Sequence, residues 1–159
     1  MKKTVIILFA IIAAVAQAQK AAVCFNKTSA KAQFAATEIM NAAIEKGYKT
    51  TFVDLPHSGT MSSNQLKVLL LTKDDKHAQR LIANAGIKNM AELESEGFII
   101  KKSGKNSVVV LGFDEAGTMY GGLEVAEILR IKGVEAIKDE VQNAYMKVRG
   151  TKLNIPLDM

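Results

Sequence analysis

The sequence contains a single cysteine, two histidines and no tryptophan among its 159 residues. One cysteine, Cys24, excludes an intramolecular disulfide. The histidines, His57 and His77, are not at metal-ligand spacing and no cysteine pair supports them, so no metal site is predicted. No phosphate-binding or dinucleotide-binding motif is complete either, and we expect no cofactor.

The charge of the chain is mildly positive and evenly spread. Lys and Arg total 21 against 16 Asp and Glu, a formal net charge of +5. Two of these charges, Lys2 and Lys3, lie in the N-terminal segment. The remaining lysines form no basic stripe interleaved with aromatic residues, so the sequence predicts no nucleic-acid partner.

The first residues have the pattern of an export signal. Lys2 and Lys3 precede a nearly continuous apolar run, Thr4 to Val15, which is too short to span a bilayer. Ala16 and Ala18 then offer the small residues that signal peptidase needs. We expect residues 1–18 to be a cleaved signal peptide and the protein to be periplasmic or secreted, with no stable membrane insertion after cleavage. An uncleaved anchor is the alternative, which this length disfavours.

Cys24 lies in Ala21–Phe25, which the pattern predicts as a short buried strand. A lipid-modified cysteine is the alternative, but it needs a small residue directly before it, and Val23 stands there. Lys20 also interrupts the apolar approach. We therefore expect a buried structural thiol.

The mature chain is predicted as β-α-β-β-α-β-β-α, followed by a connector and one further strand. Two strand-like runs around the tip 103–106 indicate a β-hairpin. The fold class is α/β (α+β-like): a mixed sheet including the hairpin, with helices packed on it, plus a C-terminal orphan strand. The predicted strands are 21–25, 50–55, 66–72, 97–102 and 107–113; the helices are 30–46, about 75–85 and 115–132; 56–64 is a loop and 89–94 a helical turn.

Helix ends and helix faces follow from local chemistry. Thr28 or Ser29 can cap the first helix and Asp114 the long one. Gly121 and Gly122 lie inside the long helix, where each costs about 1 kcal/mol relative to Ala, so we expect the helix to approach the sheet closely. The apolar faces are predicted from spacing: Ala32, Ala36, Ile39 and Ala43 in the first helix, and Met119, Leu123, Ala126 and Leu129 in the long one.

Four sets of residues invite a chemical interpretation, and each has a structural alternative that we favour. The glycines of the long helix lack the ending of a P-loop, which favours helix packing. Ser58 and His57 are adjacent in sequence, so their side chains point apart. The three glutamates before the hairpin and the three lysines at the hairpin can simply be solvated. The sets are Gly117, Gly121 and Gly122; Ser58 and His57; Glu92, Glu94 and Glu96; and Lys101, Lys102 and Lys105, for which an anionic-ligand site is the alternative.

Several segments together resemble a known family. Glu96–Ile100, the hairpin and Val108–Leu129, with the run Gly117–Gly122 after a strand, are similar to the non-catalytic N-terminal α/β domain of bacterial α-glucuronidases and β-N-acetylhexosaminidases. Gln33–Ile39 resembles the first helix of that domain. The resemblance implies that a (β/α)₈ catalytic barrel follows the domain.

The C-terminal segment fits the same resemblance. Leu153, Ile155 and Leu157 alternate with polar residues or proline, as in a strand with one buried face. Arg149 and Gly150 resemble the start of the barrel's first strand, where the arginine contacts a sugar hydroxyl, so the resemblance implies that Arg149 is a substrate contact in a complete barrel. No catalytic residue is expected in this chain, because the family's catalytic residues belong to later barrel strands.

The predicted organisation is a signal peptide (1–18), an α/β accessory domain (19–145), and a linker with the start of a truncated barrel (146–159). The predicted function is a non-catalytic accessory domain of an exported carbohydrate-active glycoside hydrolase, as a truncated or split gene product. Its partner is a (β/α)₈ barrel, in cis in relatives or in trans.

Two alternatives remain open. One is a free-standing periplasmic or secreted glycan-binding module, for which the supply of aromatic side chains is poor: Tyr48, Tyr120 and Tyr145 are the only tyrosines, and we expect Tyr120, in the long helix, to pack. The other is a small hydrolase, which lacks a clustered nucleophile and base.

Overall fold

The computed structural model describes residues 19–88 and 90–145. The predicted signal peptide, Arg149 and the predicted C-terminal strand lie outside these ranges. Within them, no helix is long and apolar enough to cross a membrane. The elements are β1 (Lys20–Phe25), α1 (Ala30–Glu45), β2 (Lys49–Asp54), β3 (Leu66–Thr72), α2 (Gln79–Asn84), β4 (Phe98–Lys102), β5 (Ser107–Gly112), α3 (Glu115–Lys132) and β6 (Glu140–Gln142).

The strands form one mixed sheet in the order β2-β1-β3-β5-β4-β6. β1 pairs in parallel with β2 and β3, and β3 pairs in parallel with β5. β4 runs antiparallel to both β5 and β6. The mixed sheet with an internal hairpin is therefore confirmed, and the apolar run of β3 is central, as predicted.

Alternate residues of the central strand supply two separate cores, because successive side chains of a strand point to opposite faces. Val68 and Leu70 belong to the core under α1 and α3. Leu69 and Leu71 belong to the core under α2 and its flanking turns. Helices thus cover both faces of the sheet, which explains why β3 is apolar almost throughout.

The first helix forms as its sequence predicts. The Ser29 hydroxyl accepts a hydrogen bond from the Ala32 N–H (3.3 Å) and caps α1. The predicted face is buried, with Ala32, Ala36, Ile39 and Ala43 all within the core. Small side chains on this face let α1 pack closely beside α3.

The glycines of α3 allow close packing, which confirms the prediction for Gly121 and Gly122. A Cβ on Gly121 would lie 2.6 Å from the Val110 side chain, and one on Gly122 would lie 2.8 Å from Ala35 Cβ. α3 therefore approaches both the sheet and α1 at these positions. Of the predicted apolar face, Ala126 and Leu129 are buried and the half-buried Met119 packs against the core, whereas Leu123 is half-buried outside it.

Three local expectations need correction. The segment expected to be a loop contains a 3₁₀ helix, Leu55–Thr60, which Asp54 caps by accepting the Leu55 N–H (3.0 Å). α2 begins only at Gln79, because Asp75 holds a preceding turn by accepting the His77 N–H (2.8 Å). The short edge strand β6 was not predicted, since its three residues are largely exposed and carry no periodic signal.

Candidate functional site

The chain leaves β6 through a fixed junction at the carboxyl edge of the parallel strands. The Asn143 side chain accepts the Glu94 N–H (2.9 Å) and donates to the Glu92 carbonyl (2.8 Å). Gly97 lies directly beneath, where any Cβ would collide with the Asn143 side chain. These contacts fix the segment after β6 to the turn before the hairpin.

Asp114 ties the same turn to the start of α3. Its carboxylate accepts the Gly117 N–H (2.8 Å), the Ser95 hydroxyl (3.0 Å) and the Glu96 N–H (3.1 Å). Burial acts to raise the pKa of Asp114, but the hydrogen bonds from Gly117, Glu96 and Ser95 outweigh it and lower the pKa. The predicted helix cap is confirmed, and it also fixes Glu96, whose backbone is in the left-handed region (φ 64°).

A groove of about 340 Å³ lies between α3 and the segment around β6. We call it the α3–β6 groove. Tyr120 is 38 % exposed and Tyr145 is fully exposed along it. Most of the Tyr120 surface is covered, as expected for a side chain that packs, and the rest is open to the groove. The lining residues are Glu96, Phe98, Tyr120, Leu123, Glu124, Glu127, Gln142, Asn143, Ala144 and Tyr145.

The rim of the α3–β6 groove is acidic. Glu96, Glu124 and Glu127 line it, and its described lining includes no lysine or arginine. The pKa of Glu124 is raised, first by burial and then by the nearby Glu140 and Glu127 carboxylates, against the opposing effect of Lys132. The groove therefore combines exposed aromatic surface with negative charge, which suits a partner of opposite sign.

Two further cavities lie where β1 and β3 end. One, of about 350 Å³, is lined by Asn26, Ser29, Thr72, Asp74, Asp75, Lys76, His77 and Glu115. The other, of about 460 Å³, shares Lys76 and His77 with the first and adds Ser58 and Arg80 among its walls. Together they form the carboxyl-edge cleft. Asn26 Nδ2 donates to Asp75 Oδ2 (3.1 Å) across it.

The histidines and serine considered for catalysis do not assemble into a triad. His57 is exposed and Ser58 half-buried on the 3₁₀ helix, and His77 lines the cavity that contains Ser58. No hydrogen bond joins Ser58 to either histidine in the described part of the chain.

Two of the three hairpin lysines have structural partners. Lys101 forms an ion pair with Asp139, and Lys102 Nζ donates to the Val134 carbonyl (3.2 Å). The hydrogen bond from the Lys101 ammonium is the first cause of the lowered pKa of Asp139, followed by the one from the Lys102 N–H. These lysines fix the connector after α3 to β4. Lys105 remains exposed at the tip.

The remaining candidate residues lie in separate places. Glu92 and Glu94 are exposed, and Glu96 faces the α3–β6 groove. Cys24 is buried, and burial followed by the Asp54 charge raises the pKa of its thiol to about 12. Among residues 19–88 and 90–145, no group of three or more His, Cys, Asp or Glu side chains is placed to hold a metal ion.

The described residues thus form an α/β domain with several grooves on its surface. Residues 10–124 match the family described as "Glycosyl hydrolase family 67 N-terminus". The chain belongs to this family, and the resemblance to the N-terminal domain of glycoside hydrolases is confirmed. Among curated protein sequences, none matches the chain significantly.

Solved structures of large glycoside hydrolases contain the same fold. They include a "GH138 enzyme targeting pectin rhamnogalacturonan II" (TM-score 0.51, 20 % identity, 77 % of this chain and 15 % of that one). "Structure of CpGH84D" follows with TM-score 0.52 and 12 % identity over 70 % of this chain and 18 % of that one. A GH115 4-O-methyl-α-glucuronidase, BtGH115A, "with specificity for decorated arabinogalactans", has TM-score 0.50 and 20 % identity over 70 % and 13 %. The chain thus spans a small part of each of these proteins.

Proposed function

We propose that the chain acts as a non-catalytic accessory domain of an exported carbohydrate-active glycoside hydrolase, packing against a (β/α)₈ catalytic barrel. The observation that carries the proposal is the match to a glycosyl hydrolase N-terminal family over residues 10–124. In the similar structures, the equivalent of this fold occupies only 13–18 % of a much longer chain. An accessory role in a larger assembly accounts for both.

The α3–β6 groove is the surface that we assign to the barrel. Tyr120 and Tyr145 are exposed large aromatic side chains that line it. Asn143, Ala144 and Tyr145, which follow β6, also line this groove, and this supports assigning the barrel to this side. Exposed aromatic side chains in a groove are typical centres of protein interfaces.

A binding experiment tests the assignment. The purified chain is titrated with a separately expressed (β/α)₈ barrel from a family 67 glycosyl hydrolase by isothermal titration calorimetry. We expect Tyr120→Ser to weaken association at least tenfold, because loss of an interface aromatic commonly costs more than about 1–2 kcal/mol. Phe34→Ser is the matched control, since Phe34 is 53 % exposed on α1 and lies outside the groove. Equal weakening by both variants, or by Phe34→Ser alone, would reject the groove as the docking surface.

Export and the absence of catalysis are separate parts of the proposal. We expect the chain expressed in a Gram-negative host to appear in the periplasm with a mass that begins at Gln19. We expect the purified chain not to hydrolyse aryl glycosides or esters. Hydrolysis that a single point change abolishes would overturn the non-catalytic assignment. By the family resemblance, Arg149 would contact a sugar only when a barrel surrounds it.

A glycan-binding module is the second candidate, and one observation favours it. Tyr120 and Tyr145 both line the α3–β6 groove beside carboxylates that can accept sugar hydroxyls. Aromatic faces and polar rims are suited to carbohydrate rings. Saturable changes in tyrosine fluorescence on adding neutral oligosaccharides, lost in Tyr120→Ser, would favour this function over barrel docking.

A further inference from the structure

The carboxyl-edge cleft lies where the connections that follow β1 and β3 turn to opposite faces of the sheet. β1 continues into α1, which packs on one face of the sheet, while β3 continues into the turn and α2 that pack on the other face. β1 and β3 are neighbours in the sheet. In open α/β sheets, ligands bind in the crevice that such a divergence creates outside the carboxyl ends of the strands.

The cleft is built from residues that directly follow the two strands. Asn26 follows β1, and Thr72 ends β3. The bond from Asn26 to Asp75 (3.1 Å) joins the two loops across the crevice. Asp75 also accepts the His77 N–H (2.8 Å), so both of its oxygens are used in holding the wall. The two adjoining cavities, about 350 and 460 Å³, are of the size that receives small ligands.

The cations of the cleft are available for a ligand. Lys76 and Arg80 are exposed and line it. Neither forms an ion pair with a carboxylate of the part of the chain that the structure describes, in contrast to Arg130, which bridges Glu38 and Glu45. An arginine and a lysine beside hydroxyl and amide groups favour an oxyanion, because charge-assisted hydrogen bonds to it are the strong ones.

The opposite lobe of the cleft has the groups that bind sugar hydroxyls. Asp74 and Glu115 carry carboxylates that accept hydrogen bonds. Asn26 and Thr72 line the same lobe, but their side chains already bond within the protein, Asn26 to Asp75 and Thr28, and Thr72 to Thr118. The cleft therefore joins an acceptor-rich lobe to a cationic lobe through Lys76 and His77. A ligand that fits both lobes carries several hydroxyls and one negative group.

We propose that the carboxyl-edge cleft binds an anionic saccharide, with its carboxylate or sulfate at Lys76 and Arg80 and its hydroxyls at the Asp74 and Glu115 lobe. The carbohydrate part of this inference rests on the proposed function, whereas the anionic part rests on the cleft alone. The site is distinct from the α3–β6 groove, with which it shares no described lining residue.

The test is an NMR titration of the ¹⁵N-labelled chain with D-glucuronate, glucose 6-sulfate, neutral glucose and sodium acetate. We expect saturable amide shifts at Asn26, Thr72 and Lys76 with one or both anionic sugars, and at least tenfold weaker binding of glucose and acetate. The two anionic sugars distinguish a carboxylate from a sulfate as the recognised group. Equal binding of acetate, or of glucose, would overturn the proposal.

Two variants complete the test. Arg80→Gln should weaken binding of the anionic sugar at least tenfold, since a charge-assisted hydrogen bond is lost from an exposed residue without loss of the fold. Lys88→Gln is the matched control: Lys88 is exposed beyond α2 but does not line the cleft, and we expect less than a twofold change. If both variants weaken binding equally, the binding is explained by general charge attraction, and the assignment of the anion to Arg80 is overturned. If neither anionic sugar binds while the chain still associates with the barrel, the cleft proposal is rejected and the proposed function is unaffected.

Discussion

Replacing Gly121 with alanine tests whether close packing of α3 on the sheet outweighs helix propensity. Alanine at an unhindered helical position is favoured over glycine by about 1 kcal/mol. At Gly121, however, the added Cβ would lie 2.6 Å from Val110 Cγ1 and 2.9 Å from the Phe98 ring. Both neighbours are buried on strands, so neither can move without disturbing the core.

The magnitude follows from the distances. Carbon atoms pack at about 3.5–4.0 Å, so α3 would have to withdraw from the sheet by roughly 1 Å. Overpacking of this kind costs about 1–3 kcal/mol. Because two buried side chains are involved, we take the upper end, and after the propensity gain we expect Gly121→Ala to destabilise the chain by about 1–2 kcal/mol.

Urea denaturation of the purified chain, followed by far-UV circular dichroism, measures the effect. Gly59→Ala is the matched control, because a Cβ there meets nothing within 4 Å and Gly59 does not have a positive φ. We expect this control to remain within about 0.5 kcal/mol of the parent. A Gly121→Ala variant that is as stable as the parent would refute the packing argument and show that α3 can move freely over the sheet.

Two further predictions concern Asp114 and Cys24. Asp114→Asn should cost about 1 kcal/mol at pH 7, from a weakened cap and weakened bonds to Ser95 and Glu96. The folded pKa of Asp114 lies below its ordinary value, so this stabilisation is present above the unfolded carboxyl pKa and is lost as pH falls through the folded pKa. In urea denaturation, the free energies of unfolding of variant and parent should therefore become equal in acid. A difference that persists or widens there would contradict the assignment. The Cys24 thiol, buried with a pKa of about 12, should react with Ellman's reagent only under denaturing conditions, and rapid labelling of the native chain would show that β1 opens.

Local chemistry made several features predictable. Ser29 and Asp114 cap helices through backbone N–H groups three positions away, so the sequence contains both partners of each bond. Gly121 and Gly122 were expected to allow close approach, and the neighbours that they meet confirm it. The apolar run of β3 also indicated burial on both faces, because a strand with one exposed face carries polar residues on that face.

Features that depend on distant residues were missed. β6 forms because the far edge of β4 offers unpaired backbone groups, and its own three residues carry no signal. The Lys101 and Lys102 side chains were expected to be solvated, but their partners lie more than thirty positions away in the connector. Tyr120 was expected to pack, but the helical spacing did not reveal that part of its side chain stays open to the α3–β6 groove.

The sequence by itself determined the order of most elements, the ends of the two long helices and the family to which the chain belongs, because these depend on neighbouring residues and on motifs within one segment. Only the tertiary structure placed Asn26 against Asp75, His77 in the cavity of Ser58, and Tyr120 beside the segment that leaves β6. The candidate surfaces arise where separate strands end or adjacent layers meet. Their composition is therefore set by strand order and helix placement, which long-range packing decides.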